Sequence, residues 1–183
     1  MLSTEHYQKL LQVARQSIAH GLEKNSAPKI SPEEYHERLR EILATFVTLK
    51  IDNQLRGCIG TTQAISPLVQ SVNDNAWSSA FRDPRFGPLT HDEYEKIHIS
   101  ISVLTPSTPV VFNCEYDLFA QLRPGIDGLI IEKDNRRATF LPSVWESLPR
   151  SEDFLMHLKL KAGMRPDDCP AKAWIYQSIS FEE

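Results

Sequence analysis

The chain has 183 residues, 41% of them hydrophobic and 24% charged, enough for one ordinary domain or two small lobes sharing a core. That balance excludes a disordered tail, a collagen-like repeat and a disulfide-stapled miniprotein. Twenty basic against 24 acidic side chains give a net charge of −4, which argues against general phosphate-backbone binding and so against nucleic acid as partner.

From the start of the chain, Tyr7, Leu11, Ala14, Ile18 and Leu22 recur at helical spacing, which predicts a one-faced helix over residues 4–22. Residues 23–30 lose the period and contain Pro28, as a surface connection would. Ser31-Pro32-Glu33-Glu34 reads as a capping box opening a helix that turns Tyr35, Leu39, Ile42 and Leu43 inward. From Phe46 the period becomes two. Phe46 to Ile51, the turn residues Asp52-Asn53-Gln54 and Leu55 to Ile59 predict a hairpin. Ser66-Pro67 opens a helix with Val69, Val72, Ala76 and Ala80 on one face, ending near Asp83-Pro84. Thr90 to Glu93 is another capping box. Ile97, Ile99, Ile101 and Val103 then alternate with His98, Ser100 and Ser102 as a half-buried strand. Residues 128–132 and 138–141 flank a polar run and predict a second hairpin. Phe154, Leu155, Leu158 and Ala162 define a last helix, with Gly163 as its left-handed cap and one strand over 173–181 following. Trp145 and Trp174 suit core or lobe-interface packing. The expected fold class is α+β, a largely antiparallel sheet flanked by helices.

No apolar run exceeds Ala173 to Tyr176, far short of a membrane span, and no leader pattern follows Met1. Cys58, Cys114 and Cys169 form no CxxC pair and read as free thiols of a cytoplasmic protein. The six histidines give no metal-binding motif and no close pair in sequence. His98 and His91 read as a solvated strand residue and a capping-region residue. Gly57-x-x-Gly60-Thr61-Thr62 lacks the lysine and spacing of a phosphate loop, so no cofactor is implied.

One segment stands out. Only seven glycines occur, about half the ~7% average, yet Gly57 and Gly60 bracket Cys58 in a predicted strand. Glycine weakens a strand unless something must approach its backbone, so the pair predicts crowding at Cys58. Alternation places Arg56 and Cys58 on one face, with Leu55 and Ile59 on the other. A three-residue turn at 52–54 would set Lys50 and Thr48 beside Arg56 and Cys58. Two cations would then favour the thiolate of Cys58, a nucleophile, a redox group or part of an anion pocket. The alternative is a cysteine acting as a small hydrophobe, with Arg56 paired to a carboxylate. Asp83-Pro84-Arg85-Phe86 reads as a helix stop and aromatic plug, or as Arg85 binding an anionic group with Asp83 orienting it or Arg56.

Leu55-Arg56-Gly57-Cys58-Ile59-Gly60 resembles the signature hexapeptide of the AMMECR family, whose bacterial members are called AmmeMemoRadiSam system protein A. Phe46 to Leu49, Asp83 to Phe86, Ile99 to Leu104, Gly128 to Ile131, Leu141-Pro142 with Val144-Trp145, and Lys161-Ala162-Gly163 are similar to the family in the family order. Ser143 departs from it, standing where glutamine is common. The resemblance implies one AMMECR-type domain over residues 1–183, built as two unequal lobes with a cleft between them. It implies no defined reaction. The family's genomic company implies a modification pathway shared with a Memo-like protein and a radical SAM enzyme. The expected role is an accessory or binding component centred on Arg56, Gly57 and Cys58, with Gly60, Asp83 and Arg85 contributing. The alternative is an enzyme using Cys58 while Arg56 and Arg85 hold an anionic substrate.

Overall fold

The computed structural model describes residues 2–183. Helix α1, Thr4–Lys24, begins at Ser3, whose hydroxyl accepts from the His6 amide while the His6 ring accepts from the Ser3 amide. A histidine thus plays the part usually taken by glutamate in a capping box. The predicted helix after Ser31 does not form. Two short 3-10 turns, Pro32–Glu34 and Glu37–Arg40, take its place, and Ser31 makes no side-chain cap. The backbone is drawn out of helical geometry at His36 and again at Glu41, whose carbonyl accepts from Leu68 N–H while Ile42 bridges to Pro67. Leu39 is still buried, but Ile42 is 52% exposed.

Strand β1, Thr45–Ile51, turns through Asp52 and Asn53, both at positive φ, into β2, Gln54–Gly60. The turn has two residues rather than three, so Lys50 lies opposite Leu55. A bulge then shifts the register between Leu49 and Lys50 and restores Leu49 opposite Gly57 and Thr48 opposite Cys58. The Thr48–Cys58 neighbourhood is therefore as expected, while Lys50 does not face Arg56. Leu55, expected on the apolar face, is 43% exposed.

Helix α2, Leu68–Phe81, buries Val69, Val72, Ala76 and Ala80, and the short α3, His91–Tyr94, carries its predicted capping box. Strand β3, His98–Leu104, alternates as predicted. The following elements are β4, Thr108–Val110; α4, Glu115–Gln121; β5, Gly128–Lys133; β6, Arg136–Phe140; α5, Ser151–Lys161; β7, Lys172–Tyr176; and β8, Ser178–Glu182. The single strand expected over 173–181 is thus two, broken at Gln177.

The strands divide between two four-stranded sheets, ordered β2-β1-β3-β8 and β4-β7-β5-β6. The chain forms two compact units to match, residues 1–104 with 179–183, and residues 105–178. In the first, Leu10, Val13 and Ile18 of α1 and Val69 and Val72 of α2 pack on Val47, Leu49, Ile99 and Ile101 of the sheet. In the second, α5 places Phe154 and Leu158 against Leu129 and Ile131 of β5, and Trp145 stacks on Phe154 at 3.8 Å. Trp174 is half-buried, with the Arg137 guanidinium 4.9 Å from its ring centre. No helix among the described residues is long and apolar enough to cross a membrane.

Candidate functional site

The site is built on β2, an edge strand. Gly57 and Gly60 are explained by what presses on that strand. A Cβ at Gly57 would collide with the Ser79 carbonyl oxygen of α2, and one at Gly60 with the Thr45 carbonyl and the Phe46 ring. The crowding predicted around Cys58 is real, but it comes from α2 and β1. Ser79 is also inserted into the β1–β2 ladder: its hydroxyl donates to Val47 C=O at 2.8 Å and accepts from Ile59 N–H at 2.8 Å.

An edge strand exposes one row of unpaired peptide groups. At Cys58 a side-chain pair takes the place of the missing strand. Asp83 Oδ2 accepts the Cys58 N–H at 2.8 Å, and Arg85 Nη2 donates to the Cys58 carbonyl at 3.3 Å. The same Asp83 carboxylate accepts from Arg85 N, Nε and Nη2 at 3.1, 2.9 and 2.6 Å. Asp83 is buried and follows the end of α2, so the Asp-Pro turn that stops the helix also aims the carboxylate at β2. The Arg85 hydrogen bond holds the Asp83 carboxyl well below the usual range, down to about 2, with the two amide donors acting in the same direction. Arg85 is correspondingly raised, chiefly by its hydrogen bond to Asp83. Its side chain is 52% exposed.

The Cys58 side chain is half-buried, and its Sγ accepts from Thr48 Oγ1 at 3.3 Å. Arg56 does not stand beside Lys50; it takes the carboxylate pairing of the alternative reading. Its Nε and Nη2 donate to the two Glu93 oxygens at 2.7 and 3.0 Å, and Nη2 also reaches Gly87 C=O at 3.0 Å. The Arg56 side chain is 13% exposed, and its buried Nη1 has no hydrogen-bond partner among the described residues. Glu93 accepts from Thr90 N–H at 2.9 Å as the capping residue of α3. The Arg56 hydrogen bond, helped by Thr90, lowers the Glu93 carboxyl to about 2. Phe86 is shared, with each of the Arg56 and Arg85 guanidinium carbons 5.6 Å from its ring centre.

The structure therefore brings Arg56, Gly57, Cys58, Asp83 and Arg85 together around one stretch of β2, while Gly60, at the end of that strand, packs on Thr45 and Phe46 instead. It assigns Asp83 to Arg85 and leaves Arg56 to Glu93. Glu93, Ser79 and Phe86 join the set without having been singled out for it. The capping box already accounted for Glu93, and 37 residues separate it from Arg56 with no pattern linking them. His98 lies on the surface 3.5 Å from Glu182, and His91 is exposed at the start of α3. His6 and His36, thirty residues apart, do form a close pair, with Nε2 and Nδ1 separated by 3.2 Å. His6 Nδ1 accepts from Ser3 N–H and His36 Nδ1 accepts from Arg38 N–H, so the pair is tied to the caps of two helical turns.

What this arrangement offers chemically is a half-buried thiol whose own peptide is gripped by one half-exposed guanidinium, with a second guanidinium locked on Glu93. The protein is similar to chains from several archaea. One from Methanothermobacter thermautotrophicus is 33% identical, with 100% of this chain and 96% of that one covered. One from Methanopyrus kandleri is 36% identical, covering 100% and 90%. The crystal structure of an uncharacterized Pyrococcus horikoshii protein superposes with a TM-score of 0.89 at 32% identity, over 100% of this chain and 93% of that one. The sequence pattern of the AMMECR1 family matches residues 11–181, spanning both units and the whole of the site, and the chain belongs to that family.

Proposed function

We propose that this protein is a binding component of a modification pathway, and that the surface around Arg56, Gly57 and Cys58 recognises an anionic group on a ligand or partner. The observation that carries this reading is the grip of Asp83 and Arg85 on the Cys58 peptide, which fixes the strand edge before anything binds. Preorganised donors lose little entropy on association, and Arg85 retains an Nη1 with no protein partner among the described residues. Arg56 supports this surface from beneath through Glu93 and Phe86. The family resemblance supports a Memo-like protein and a radical SAM enzyme as partners. A second reading makes Cys58 a thiolate nucleophile or redox group, with Arg56 and Arg85 holding an anionic substrate. Its support is the Arg85 guanidinium seated on the Cys58 carbonyl, in the same residue as the thiol.

Calorimetric titration of the purified chain with a recombinant Memo-like protein and a radical SAM protein tests both readings. Binding kept in Cys58→Ser and weakened by about tenfold or more in Arg85→Ala and Arg56→Ala is the expected result. Equal loss in Cys58→Ser would favour the thiol reading. Absence of binding to either protein by the unaltered chain would overturn the partner assignment.

A further inference from the structure

We infer that the second unit carries a separate binding site for a small carboxylate with a short apolar body, in the cavity beside Arg123. That cavity has a volume of about 440 Å³, within the range of small-molecule sites, and all its lining residues belong to the second unit. Arg123 is fixed there by a buried carboxylate. Asp127 accepts from Arg123 N and Nε through Oδ2 at 2.9 and 3.0 Å, and from Nη2 through Oδ1 at 2.6 Å. The connecting loop closes on itself, with Asp127 N–H donating to Arg123 C=O and Trp145 Nε1 donating to Asp127 C=O. The guanidinium is thus held in one orientation while its side chain stays 57% exposed.

This is the device seen at Asp83 and Arg85, with one difference. Both carboxylates take the Nε–Nη2 edge of their arginine. At Arg85 the remaining Nη2 donor is directed to Cys58 C=O, whereas Arg123 has no protein acceptor beyond Asp127 among the described residues. The Nη1–Nη2 edge of Arg123 is therefore open, and two parallel N–H donors match the two oxygens of a carboxylate. Thr105 adds a hydroxyl whose oxygen accepts from Gln177 N–H at 2.8 Å, leaving its proton to donate. Pro109, Val110 and Ile175 supply apolar walls for the body of the ligand. A doubly charged phosphate fits less well, because Asp127 already balances Arg123 and would repel the second charge.

The test is an amide-resolved NMR titration of the full chain with 4-methylpentanoate, with 4-methylpentanamide and with inorganic phosphate at constant ionic strength. The expected result is saturable shifts at Thr105, Thr108, Arg123 and Gln177 with the carboxylate, and binding about tenfold weaker or worse for the amide and for phosphate. Arg123→Gln should abolish those shifts. Because that change leaves Asp127 without its arginine, Thr108→Glu serves as the second variant. It places a negative charge at an exposed lining position, keeps the remaining spectrum and should weaken the carboxylate about tenfold. Equal binding of the amide or of phosphate, an unaffected Thr108→Glu, shifts confined to Arg56, Cys58 and Arg85, or no saturation would each overturn the assignment.

Discussion

Gly57 sets how closely α2 approaches the site. With no side chain in the way, the Ser79 carbonyl rests against the Gly57 backbone, and the Ser79 hydroxyl comes close enough to bridge Val47 and Ile59. The bridge supplies two hydrogen bonds in a buried place, where an unmade bond costs about 1–3 kcal/mol. Gly57→Ala should therefore push α2 outward and lower stability by roughly 1–3 kcal/mol, as overpacking does. A urea midpoint that drops with an unchanged slope would show it; an unchanged midpoint would mean that α2 yields without strain. The glycine pair was legible in the sequence because glycine is scarce elsewhere in the chain. What pressed on it was not, since Ser79 is a small polar residue of a helix whose apolar face gives no sign that its hydroxyl enters a sheet.

Among the elements, the two hairpins share a design. Asp52-Asn53 and Asp134-Asn135 both hold two consecutive residues at positive φ, the two-residue turn that matches strand twist. Asparagine tolerates that region, and glycine does so without penalty. Asn53→Gly should leave the β1–β2 register intact and raise stability by a few tenths to about 1 kcal/mol, read as a higher thermal midpoint. A lower midpoint would indicate that the Asn53 side chain contributes more than its backbone preference. The turn chemistry was readable in the sequence; its length was ambiguous, because Gln54 also suits a turn and the bulge beyond it restores the register that a three-residue turn would give. The segment after Ser31 shows the opposite failure. Its capping signal is local, but a short helix is marginal alone, and the pairing of Glu41 and Ile42 with Leu68 and Pro67 draws the chain away.

At the scale of the molecule, residues 105–178 form a unit inserted between β3 and β8 of the other, and their two ends meet where Thr105 N–H donates to Gln177 C=O at 2.8 Å. Alternation alone read residues 173–181 as one strand, because a period of two is the same whichever sheet a strand joins. The change of sheet at Gln177 is a long-range fact: residues 172–176 pair with β5, and residues 178–182 join the sheet of β3. The acid response of the first unit follows from a similar long-range fact. Asp83 and Glu93 are held at about 2 by arginines, below the ordinary 3.8 and 4.5 of the unfolded chain. A carboxyl lowered by folding binds protons more readily when unfolded, so its stabilisation is present above the unfolded value and lost as pH falls through the folded one. The window is therefore pH 4.5 down to about 2. The buried Asp83 alone accounts for roughly 2 kcal/mol across it, and Glu93, about a third exposed, for less. Urea midpoints of the unaltered chain should fall through this window. Asp83→Asn should start lower at neutral pH and fall less steeply, since it has no such proton to take up. Parallel slopes in the two proteins would show that the Asp83–Arg85 grip does not govern acid unfolding.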